Sequence, residues 1–367
     1  MNVLLLFESD SLALKVAYSL AAMGANIFAV GRAPNSPMRY SRYVQSYAAL
    51  DFSVSPEGLT QGLSDLKDII GKGEIEALVP VDVAANAFLA EAGNSLDGVI
   101  IFPCSSVNVL VGLDDKWQFA RFMAQHGLPH PETIILERIE ALDRKELEAL
   151  GFPFLIKPLR GESGHGMVLV DDLSALERYL SRPNSYNALP LIAQRFVSGR
   201  DISLNVLAVD GEVLAWTLYL WETTIGGAGR LETIDHPEVL DIGRKIVKAA
   251  NYSGVANIDT RLGDDGAITV FECNPRFWYT LSASLWQGVN FVALGIRAAQ
   301  GDRIGLNDGY RHGPYFLTGE LVRRPWHVLP RLTRSNLQSI LQVVTDPLPK
   351  VLSLGRTAVA DHETNRQ

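Results

Sequence analysis

The stretch FECNPR, residues 271–276, closes a predicted strand that begins at Ile268. Side chains two apart on a strand share one face, so Glu272 and Asn274 present two oxygen-bearing groups side by side. Mg²⁺ prefers such hard oxygen ligands. It usually takes one or two carboxylates from a protein and fills its other positions with phosphate and water oxygens. The stretch therefore predicts a magnesium site at the end of this strand.

A further carboxylate belongs to the preceding predicted strand, Val255 to Leu262. Asp259 lies near the end of that strand, and the following turn, Asp264-Asp265-Gly266, would bring it beside Glu272. Two magnesium ions held by these oxygens could bridge the β- and γ-phosphates of a nucleotide. The alternative is that both carboxylates are solvated strand ends and Arg276 is their ion-pair partner. For so short a motif alone, this alternative is the more frequent outcome.

A second motif, FPFLIKPLRGESGHG at residues 152–166, combines a lysine with a glycine-rich loop. The proline after Lys157 favours extended backbone, which holds the lysine at a strand end. Backbone N–H groups beside glycines can approach phosphate oxygens because no Cβ stands in the way. The loop residues expected to cover a phosphate are Gly161, Ser163, Gly164 and Gly166. A plain hairpin turn with a solvated lysine is the alternative.

The composition is that of an ordinary globular chain of 367 residues, 47% hydrophobic and 20% charged. Lys and Arg number 33 against 41 Asp and Glu, and the formal charge of −8 has the wrong sign for a nucleic-acid or anionic-membrane binder. No apolar run approaches the roughly 18 residues of a membrane span. The cysteines Cys104 and Cys273 form no CxxC or Cys/His pattern. We expect a cytoplasmic protein with no nucleic-acid or membrane partner.

In the first 112 residues, apolar strands such as Asn2 to Phe7 and Ala77 to Pro80 alternate with helical segments such as Val83 to Ala92, which predicts a parallel sheet covered on both faces. The first strand-to-helix turn lacks the glycines of a dinucleotide-binding fingerprint, so a Rossmann-type dehydrogenase is disfavoured. From about residue 113 the predicted strands follow one another through short turns such as Asp210-Gly211, which predicts antiparallel sheets. Residues 225–230 are predicted to form a glycine-rich loop, and prolines are expected to limit helix length over residues 303–367.

Six blocks of sequence, read in order, resemble the ATP-grasp superfamily of carboxylate-amine ligases. They are Asp115-Lys116, Gly127 to Pro131, Phe152 to Pro158, Gly161 to Gly166, Gln194 to Asp201 and Glu272 to Arg276. Carbamoyl-phosphate synthetase large-chain halves and biotin-carboxylase-like ligases are the nearest type. The resemblance implies a pre-ATP-grasp α/β domain over residues 1–112, an ATP-grasp domain over 113–302 and a carboxy-terminal extension over 303–367. It divides the ATP-grasp domain into a lid subdomain (113–193) and a metal and nucleotide subdomain (194–302).

The resemblance also implies a role for individual residues. It implies ATP binding by Lys116, Lys157, Gly161, Ser163, Gly164, Gly166, Gln194, Phe196, Val197 and Asp201, metal binding by Asp259, Glu272 and Asn274, and catalysis by Arg276, Lys157 and Arg230. Gln194 and the backbone near Phe196 and Val197 would face the adenine, and Asp201 stands where the family has a ribose-binding glutamate. Arg276 would hold the transferring phosphoryl group, and Arg230 would bind the substrate carboxylate.

The implied reaction begins when a substrate carboxylate attacks the γ-phosphate of ATP, which yields an acyl phosphate and ADP. An amine then displaces phosphate to form an amide. The implied cofactors are ATP and two Mg²⁺ ions, with Mn²⁺ as a substitute, and the partners are a small-molecule carboxylate and an amine. A homodimer is left open. Two other functions also remain open, an ATP-grasp small-molecule kinase and a non-catalytic ATP-binding sensor.

Overall fold

A computed structural model describes residues 1–138, 144–161, 166–181, 188–224, 227–302, 309–317, 320 and 325–353. These residues form a five-stranded parallel sheet, a four-stranded antiparallel sheet and a six-stranded antiparallel sheet. The mixture confirms the predicted fold class, in which a parallel-sheet domain precedes antiparallel sheets. In the described ranges, no helix has the length and apolar character needed to cross a membrane.

The amino-terminal domain is built on the parallel sheet. Its elements are β1 (Asn2–Phe7), α1 (Asp10–Ala22), β2 (Asn26–Gly31), β3 (Val44–Ala49), α2 (Pro56–Gly73), β4 (Ala77–Pro80), α3 (Val83–Ala92) and β5 (Ile100–Ile101), with short 3-10 helices at Pro37–Tyr40 and Gly93–Ser95. The strand order is β3-β2-β1-β4-β5. Val3 and Leu5 pack with α1, whereas Leu4 and Leu6 pack with α2 and α3 on the other face. A strand covered on both faces has the continuous apolar sequence from which β1 was predicted.

The small antiparallel sheet follows two helices. The elements of this part are α4 (Val107–Asp114), α5 (Lys116–Gln125), β6 (Thr133–Leu136), α6 (Arg144–Leu150), β7 (Phe154–Pro158), β8 (Val168–Val170), α7 (Leu173–Leu180) and β9 (Leu191–Arg195). The strand order is β6-β9-β7-β8. Leu147 of α6 and Leu176 of α7 pack with Phe154 and Ile156 of β7 in one core. The predicted subdomain boundary at residues 193 and 194 falls inside β9, and the division into subdomains stays a prediction.

The large antiparallel sheet carries most of the remaining described chain. Its strands and helices are β10 (Arg200–Val209), β11 (Glu212–Thr224), β12 (Gly227–Thr233), α8 (Pro237–Ala249), β13 (Gly254–Leu262), β14 (Ile268–Asn274), α9 (Leu281–Gln287), α10 (Phe291–Ala299) and β15 (Pro314–Phe316). The strand order is β14-β13-β10-β11-β12-β15. Helices α4, α5 and α8 share one hydrophobic cluster with this sheet, and α9 and α10 share another with it.

A single hydrophobic cluster joins the amino-terminal domain to the large sheet. It contains Val3 and Leu5 of β1 together with Leu207 of β10. Within it, the rings of Phe102 and Phe277 have centroids 5.5 Å apart. The carboxyl end of the parallel sheet is thereby held against the end of β14, where the FECNPR stretch lies.

One expectation differs from the structure. Residues 225–230 were expected to be a loop; residues 225 and 226 lie outside the described residues, but Gly227–Thr233 is strand β12, because it pairs with β11 on one side and with β15 on the other. Prolines were expected to limit helix length after residue 303. In the described part of this stretch, β15 is followed by α11 (Pro325–Val328), a 3-10 helix (Leu329–Arg331), α12 (Arg334–Thr345) and a helical segment at residues 347–353. The twelve residues of α12 fit between Pro330 and Pro347, so no proline interrupts its hydrogen bonds.

Candidate active site

The β13 and β14 hairpin brings the predicted metal ligands together. In its register Asp259 stands opposite Glu272, and Asn257 stands opposite Asn274. Ser203 Oγ donates to Asp259 Oδ1 at 2.7 Å. Burial and the neighbouring Glu272 carboxylate raise the pKa of Asp259 to about 7. The raised pKa means that burial and the Glu272 charge disfavour the ionised form of Asp259. A cation between the two facing carboxylates would offset this effect.

A β-bulge in the same hairpin redirects one aromatic side chain. Thr260 pairs with Val270 while Asp259 pairs with Glu272, so Phe271 is the extra residue on β14. Bulges commonly re-aim a side chain beside a functional site. The ring of Phe271 lies 5.1 Å from the Lys157 ammonium, which places the second predicted motif against the first.

Lys157 is held by the small sheet. Its Nζ donates to Gln194 Oε1 at 2.8 Å, and the Gln194 amide donates in turn to Thr133 Oγ1 at 3.1 Å. Burial lowers the pKa of Lys157 to about 8, and Glu272 offsets part of that effect. A buried lysine of this kind is easily neutralised, so an anionic ligand would stabilise its charged form.

Lys116 links the β13 and β14 hairpin to Gly161. Asp115 caps the start of α5 through hydrogen bonds to the backbone N–H groups of Trp117 and Gln118, which positions Lys116 at the first turn. The Lys116 side chain is buried, its Nζ lies 3.6 Å from Glu272 Oε1, and it donates to the carbonyl of Gly161 at 3.2 Å. The Lys116 ammonium therefore contacts Gly161 and Glu272, which lie 45 and 156 positions away along the chain.

Arg276 closes the site on the side of the amino-terminal domain. Its Nη2 donates to Asn274 Oδ1 at 3.2 Å, and its Nη1 donates to the carbonyl of Phe277 at 2.9 Å. Phe277 is fully buried in the shared core, so the guanidinium is anchored by rigid neighbours. Arg276 also acts electrostatically on the half-buried carboxyl of Asp114, whose pKa is raised mainly by desolvation.

A row of buried polar side chains crosses the large sheet behind Asn274. We call Asn274, Asn257, Asn205 and Thr217 the amide ladder. Asn274 donates to Asn257 at 3.4 Å, Asn257 to Asn205 at 3.1 Å, and Asn205 to Thr217 at 3.2 Å. Sequence reasoning missed this ladder, although Asn257 and Asp259 share a strand face two residues apart.

Arg261 is the other residue that sequence reasoning missed. Its Nε donates to Asp201 Oδ1 at 2.7 Å, and its Nη1 donates to the carbonyl of Val197 at 2.7 Å. Its guanidinium lies 5.6 Å from the ring of Phe196 and 5.5 Å from that of Phe271. The spacing of two from Asp259 could have signalled it. Phe196, Val197 and Asp201 thus gather around one arginine, whereas Gln194 bonds Lys157. The roles of all four residues toward adenine and ribose stay predictions.

The structure gives no support to the predicted roles of three site residues, Ser163, Gly164 and Arg230. Ser163 and Gly164 lie outside the described residues, whereas Gly161 and Gly166 are described and have φ of +137° and +73°, the left-handed region that glycine tolerates. Arg230 lies on β12, where its Nη2 donates to Glu222 at 3.1 Å and to Glu232 at 2.8 Å. The Arg230 guanidinium was expected to bind a substrate carboxylate, but it already donates to two carboxylates of the protein.

A cleft of about 390 Å³ opens between the two domains. Glu8, Ser9 and Asp82 line it from the parallel sheet, and Asp114 and Arg276 line it from the opposite side. Asp82 accepts hydrogen bonds from the backbone N–H groups of Glu8 and Ser9, at 2.6 and 2.9 Å, so both loops at this edge are held together. Ligands of open α/β sheets collect at this edge, and the cleft is large enough for a small molecule.

The residues present fit Mg²⁺ and ATP in their chemistry. Within the described ranges, no group of three or more His, Cys, Asp and Glu side chains could hold a metal, so the set consists of two carboxylates and the carboxamide of Asn274. Such a set suits a hard cation that keeps phosphate or water among its ligands. Lys116, Lys157 and Arg276 supply the positive charge that a polyphosphate needs.

Comparison with known proteins points to one family. Residues 113–280 match the family model of the ATP-grasp domain. The arginine-specific carbamoyl phosphate synthase large chain of Bacillus subtilis (strain 168) is 27% identical over 225 residues, 58% of this chain and 21% of that protein. The carbamoyl phosphate synthase large chain of Archaeoglobus fulgidus is 27% identical over 195 residues, 47% of this chain and 17% of that protein. The chain thus spans about a fifth of the length of these relatives.

Solved structures show the same fold over a larger share of the chain. N5-carboxyaminoimidazole synthetase from Staphylococcus aureus complexed with ADP has a TM-score of 0.69 at 16% identity, and the match covers 90% of this chain and 86% of that one. The L-amino acid ligase from Bacillus licheniformis has a TM-score of 0.61 at 17% identity, with 82% and 74% covered. At these identities the similarity is one of fold, and it includes the amino-terminal domain.

Proposed function

We propose that the chain is an ATP-dependent ligase that activates a substrate carboxylate as an acyl phosphate and transfers the acyl group to an amine. The observation that carries the proposal is that Lys116, Lys157 and Arg276 surround the facing carboxylates Asp259 and Glu272. Each cation is buried, so the cluster balances its charge best when a polyanion and a divalent cation enter together. ATP with magnesium has that composition.

Each side chain has a task in this reaction. Lys116 and Lys157 would hold oxygens of the transferring phosphoryl group, and the planar fork of Arg276 would hold two oxygens at once. Fixed cations are most effective against charge that develops in the transition state. The substrate carboxylate would attack the γ-phosphorus, ADP would leave, and the amine would then displace phosphate from the acyl phosphate. The chemistry requires positioning and electrostatics, not a protein nucleophile.

Asp259, Glu272 and Asn274 would hold the metal, and we propose two Mg²⁺ ions with Mn²⁺ as a substitute. When bound, the metal neutralises charge on phosphate oxygens. The cleft beside Arg276 would hold the carboxylate and the amine, since Gly161 lines it and also accepts the hydrogen bond from Lys116. The acyl phosphate would thus form next to its acceptor. Among the expected sites, Arg230 has the least support, because Glu222 and Glu232 already bind it.

We also propose the predicted domain division at residues 112 and 302, and a cytoplasmic location. Both cysteines are free, with Cys104 partly buried and Cys273 buried. Free thiols in a chain of this size are typical of a reducing compartment.

The reaction is tested by incubating the protein with ATP, Mg²⁺, pooled carboxylic acids and hydroxylamine. Hydroxylamine replaces the amine, so a ligase yields a hydroxamate together with ADP and inorganic phosphate. A kinase instead yields a phosphorylated product without released phosphate, and a sensor yields no ADP; either result would contradict the proposal. Repeating the assay with Mn²⁺ tests the substitution of the metal.

The matched variants are Glu272→Gln and Glu238→Gln. The first removes a carboxylate charge from the proposed metal site and should abolish hydroxamate formation. The second makes the same change on the exposed side of α8 and should leave the rate unchanged. Retained activity in Glu272→Gln would refute the metal assignment.

A further inference from the structure

Helix α12 exposes a row of large apolar side chains although part of its inner face is polar. Its buried residues are Asn336, Ser339 and Gln342, with Ile340 and Val343 partly buried beside them. The exposed large residues are Leu337, Leu341 and Val344, at 56%, 62% and 66% exposure. A surface helix normally keeps its apolar stripe facing the core. The apolar outer face of α12 calls for a partner.

Specific hydrogen bonds hold the helix in this orientation. Asn336 donates to the carbonyl of Phe316 at 2.9 Å, Ser339 Oγ bonds the buried Tyr315 hydroxyl at 2.6 Å, and Gln342 donates to a carbonyl of α1 at 3.3 Å. Just after the helix, the buried carboxylate of Asp346 accepts from Ser41 Oγ and from the backbone N–H of Arg42, at 2.7 and 2.8 Å. Rolling the helix over would break all of these buried bonds.

The apolar residues continue past the end of α12 through the helical residues 347–353. We define the carboxy-terminal stripe as Leu337, Leu341, Val344, Leu348, Val351 and Leu352, which are 41–66% exposed. Leu337, Leu341 and Val344 are spaced by four and three residues along α12, and Leu348 and Val351 by three residues along the following helical segment. The backbone leaves the helical conformation between the two segments, at Asp346 (φ −132°, ψ 60°). Spacings of three and four place residues on one face of a helix.

The stripe has the size that a dimer interface requires. At these exposures each Leu or Val shows roughly 100 Å² of apolar surface, so the stripe totals about 600 Å². That is at the upper end for the largest apolar patch on a typical monomer, about 300–600 Å², and such patches are often functional. A standard interface buries about 800 Å² on each partner, of which somewhat more than half is apolar. One stripe supplies that apolar share.

The charges on and around α12 indicate which partner covers the carboxy-terminal stripe. No charged residue lies between Arg334 and Asp346, so a charged peptide would find no counter-charge along α12. Amphipathic helices that bind membranes carry Lys and Arg on their polar face, whereas this polar face is uncharged and bonded to the protein. Residues 354–367 contain only two large apolar side chains, Leu354 and Val359, too few to cover the stripe. A second copy offers an equal apolar stripe, uncharged from residue 335 to residue 345.

We propose that two copies of this chain associate through their carboxy-terminal stripes about a two-fold axis, with the α12 helices antiparallel and Val344 near the axis. In a two-fold interface the same patch serves both copies. Antiparallel pairing also sets opposite helix dipoles beside each other. This inference does not rest on the proposed reaction.

Analytical ultracentrifugation of the full chain over a range of concentrations tests the association. We expect the wild type to sediment with twice its monomer mass and the variant Leu341→Lys/Val344→Lys to sediment as a monomer, with dimer affinity lowered at least about 100-fold. Both positions are exposed, so the fold should survive. Val54→Lys, an exposed apolar residue elsewhere, should leave the dimer intact. A monomeric wild type, or a dimer that survives the double change, would overturn the proposal.

Cysteine cross-linking tests the pairing geometry in a Cys104→Ser background. Val344→Cys should form a disulfide between two copies under mild oxidation. Leu337→Cys lies about two helical turns from Val344 on α12 and should not cross-link to itself. Self-cross-linking at residue 337, or binding of the monomer to vesicles of phosphatidylcholine and phosphatidylserine through the stripe, would contradict the arrangement.

Discussion

The carboxamide of Asn274 is held from both ends, because its oxygen accepts from Arg276 at 3.2 Å and its nitrogen donates to Asn257 at 3.4 Å. A guanidinium can only donate, so its contact defines which end of the amide is oxygen. The orientation of the next amide in the ladder is fixed in turn. Because the Asn257 oxygen accepts from Asn274, the Asn257 nitrogen must donate to Asn205. The ladder therefore keeps the Asn274 oxygen toward the proposed metal site.

Asn257→Leu removes the acceptor for the Asn274 nitrogen while preserving the volume of the side chain. The unpaired amide can then rotate, so its oxygen no longer stays on the metal side. We expect the Mg²⁺ concentration for half-maximal activity to rise about 10- to 100-fold, the usual effect of losing a residue that orients a ligand. Titration of Mg²⁺ at saturating ATP measures it, with kcat at saturating Mg²⁺ changed much less. An unchanged Mg²⁺ requirement would show that Asn257 has only a structural role.

The pH dependence of kcat/KM should be bell-shaped, with an acidic limb near pH 7 and an alkaline limb near pH 8. Below about 7, Asp259 is protonated and cannot hold a cation; above about 8, Lys157 loses the charge that holds phosphate. Steady-state rates across pH 5.5 to 9.5 at subsaturating ATP give the profile. In Lys157→Arg the alkaline limb should disappear, because a guanidinium does not deprotonate in this range. An alkaline limb that persists in this variant must arise from another group.

Asp259→Asn should stabilise the metal-free protein at pH 8. The pKa of Asp259 is about 7 in the folded chain, above its unfolded value of about 3.8, so the native state binds the extra proton between these values. Stability from this group is present below about pH 4 and is lost as the pH rises through 7. By thermal unfolding we expect a Tm gain of roughly 2 to 5 °C at pH 8 and none near pH 4.

Mg²⁺ provides the control for that measurement. Added Mg²⁺ should raise the Tm of the wild type and should affect Asp259→Asn much less, because binding to the native state alone stabilises it. A lower Tm in the metal-free variant at pH 8 would mean that the carboxylate is structural.

Gly295→Ala should loosen the core shared by the two domains. A Cβ at this position of α10 would lie 2.0 Å from Phe102 Cε2, and Phe102 is itself packed on Phe277. Overpacking of this kind costs about 1 to 3 kcal/mol, measured by urea unfolding. Gly112→Ala in α4 is the control, since a Cβ there meets no atom within 4 Å and helical alanine gains up to about 1 kcal/mol. Equal stability of the two variants would contradict the packing argument.

Local patterns were sufficient for many elements. The predicted limits of β4 and α3 agree with the structure, and β1 was predicted from its apolar run. Helix α2 was missed although Ser55 and Pro56 form a typical helix start, with Ser55 Oγ accepting from the N–H of Gly58. Strand β12 was taken for a loop, because its pairing with β15 depends on residues more than 80 positions away.

The sequence by itself determined the β13 and β14 hairpin, because two adjacent strands and a short turn place Asp259 opposite Glu272 through local periodicity alone. Only the tertiary structure decided what surrounds it. The contact of Lys116 with Glu272, the engagement of Arg261 by Asp201, and the amide ladder depend on how separate strands are aligned across a sheet. Register of that kind is set by packing between distant segments, and no short stretch of sequence contains it.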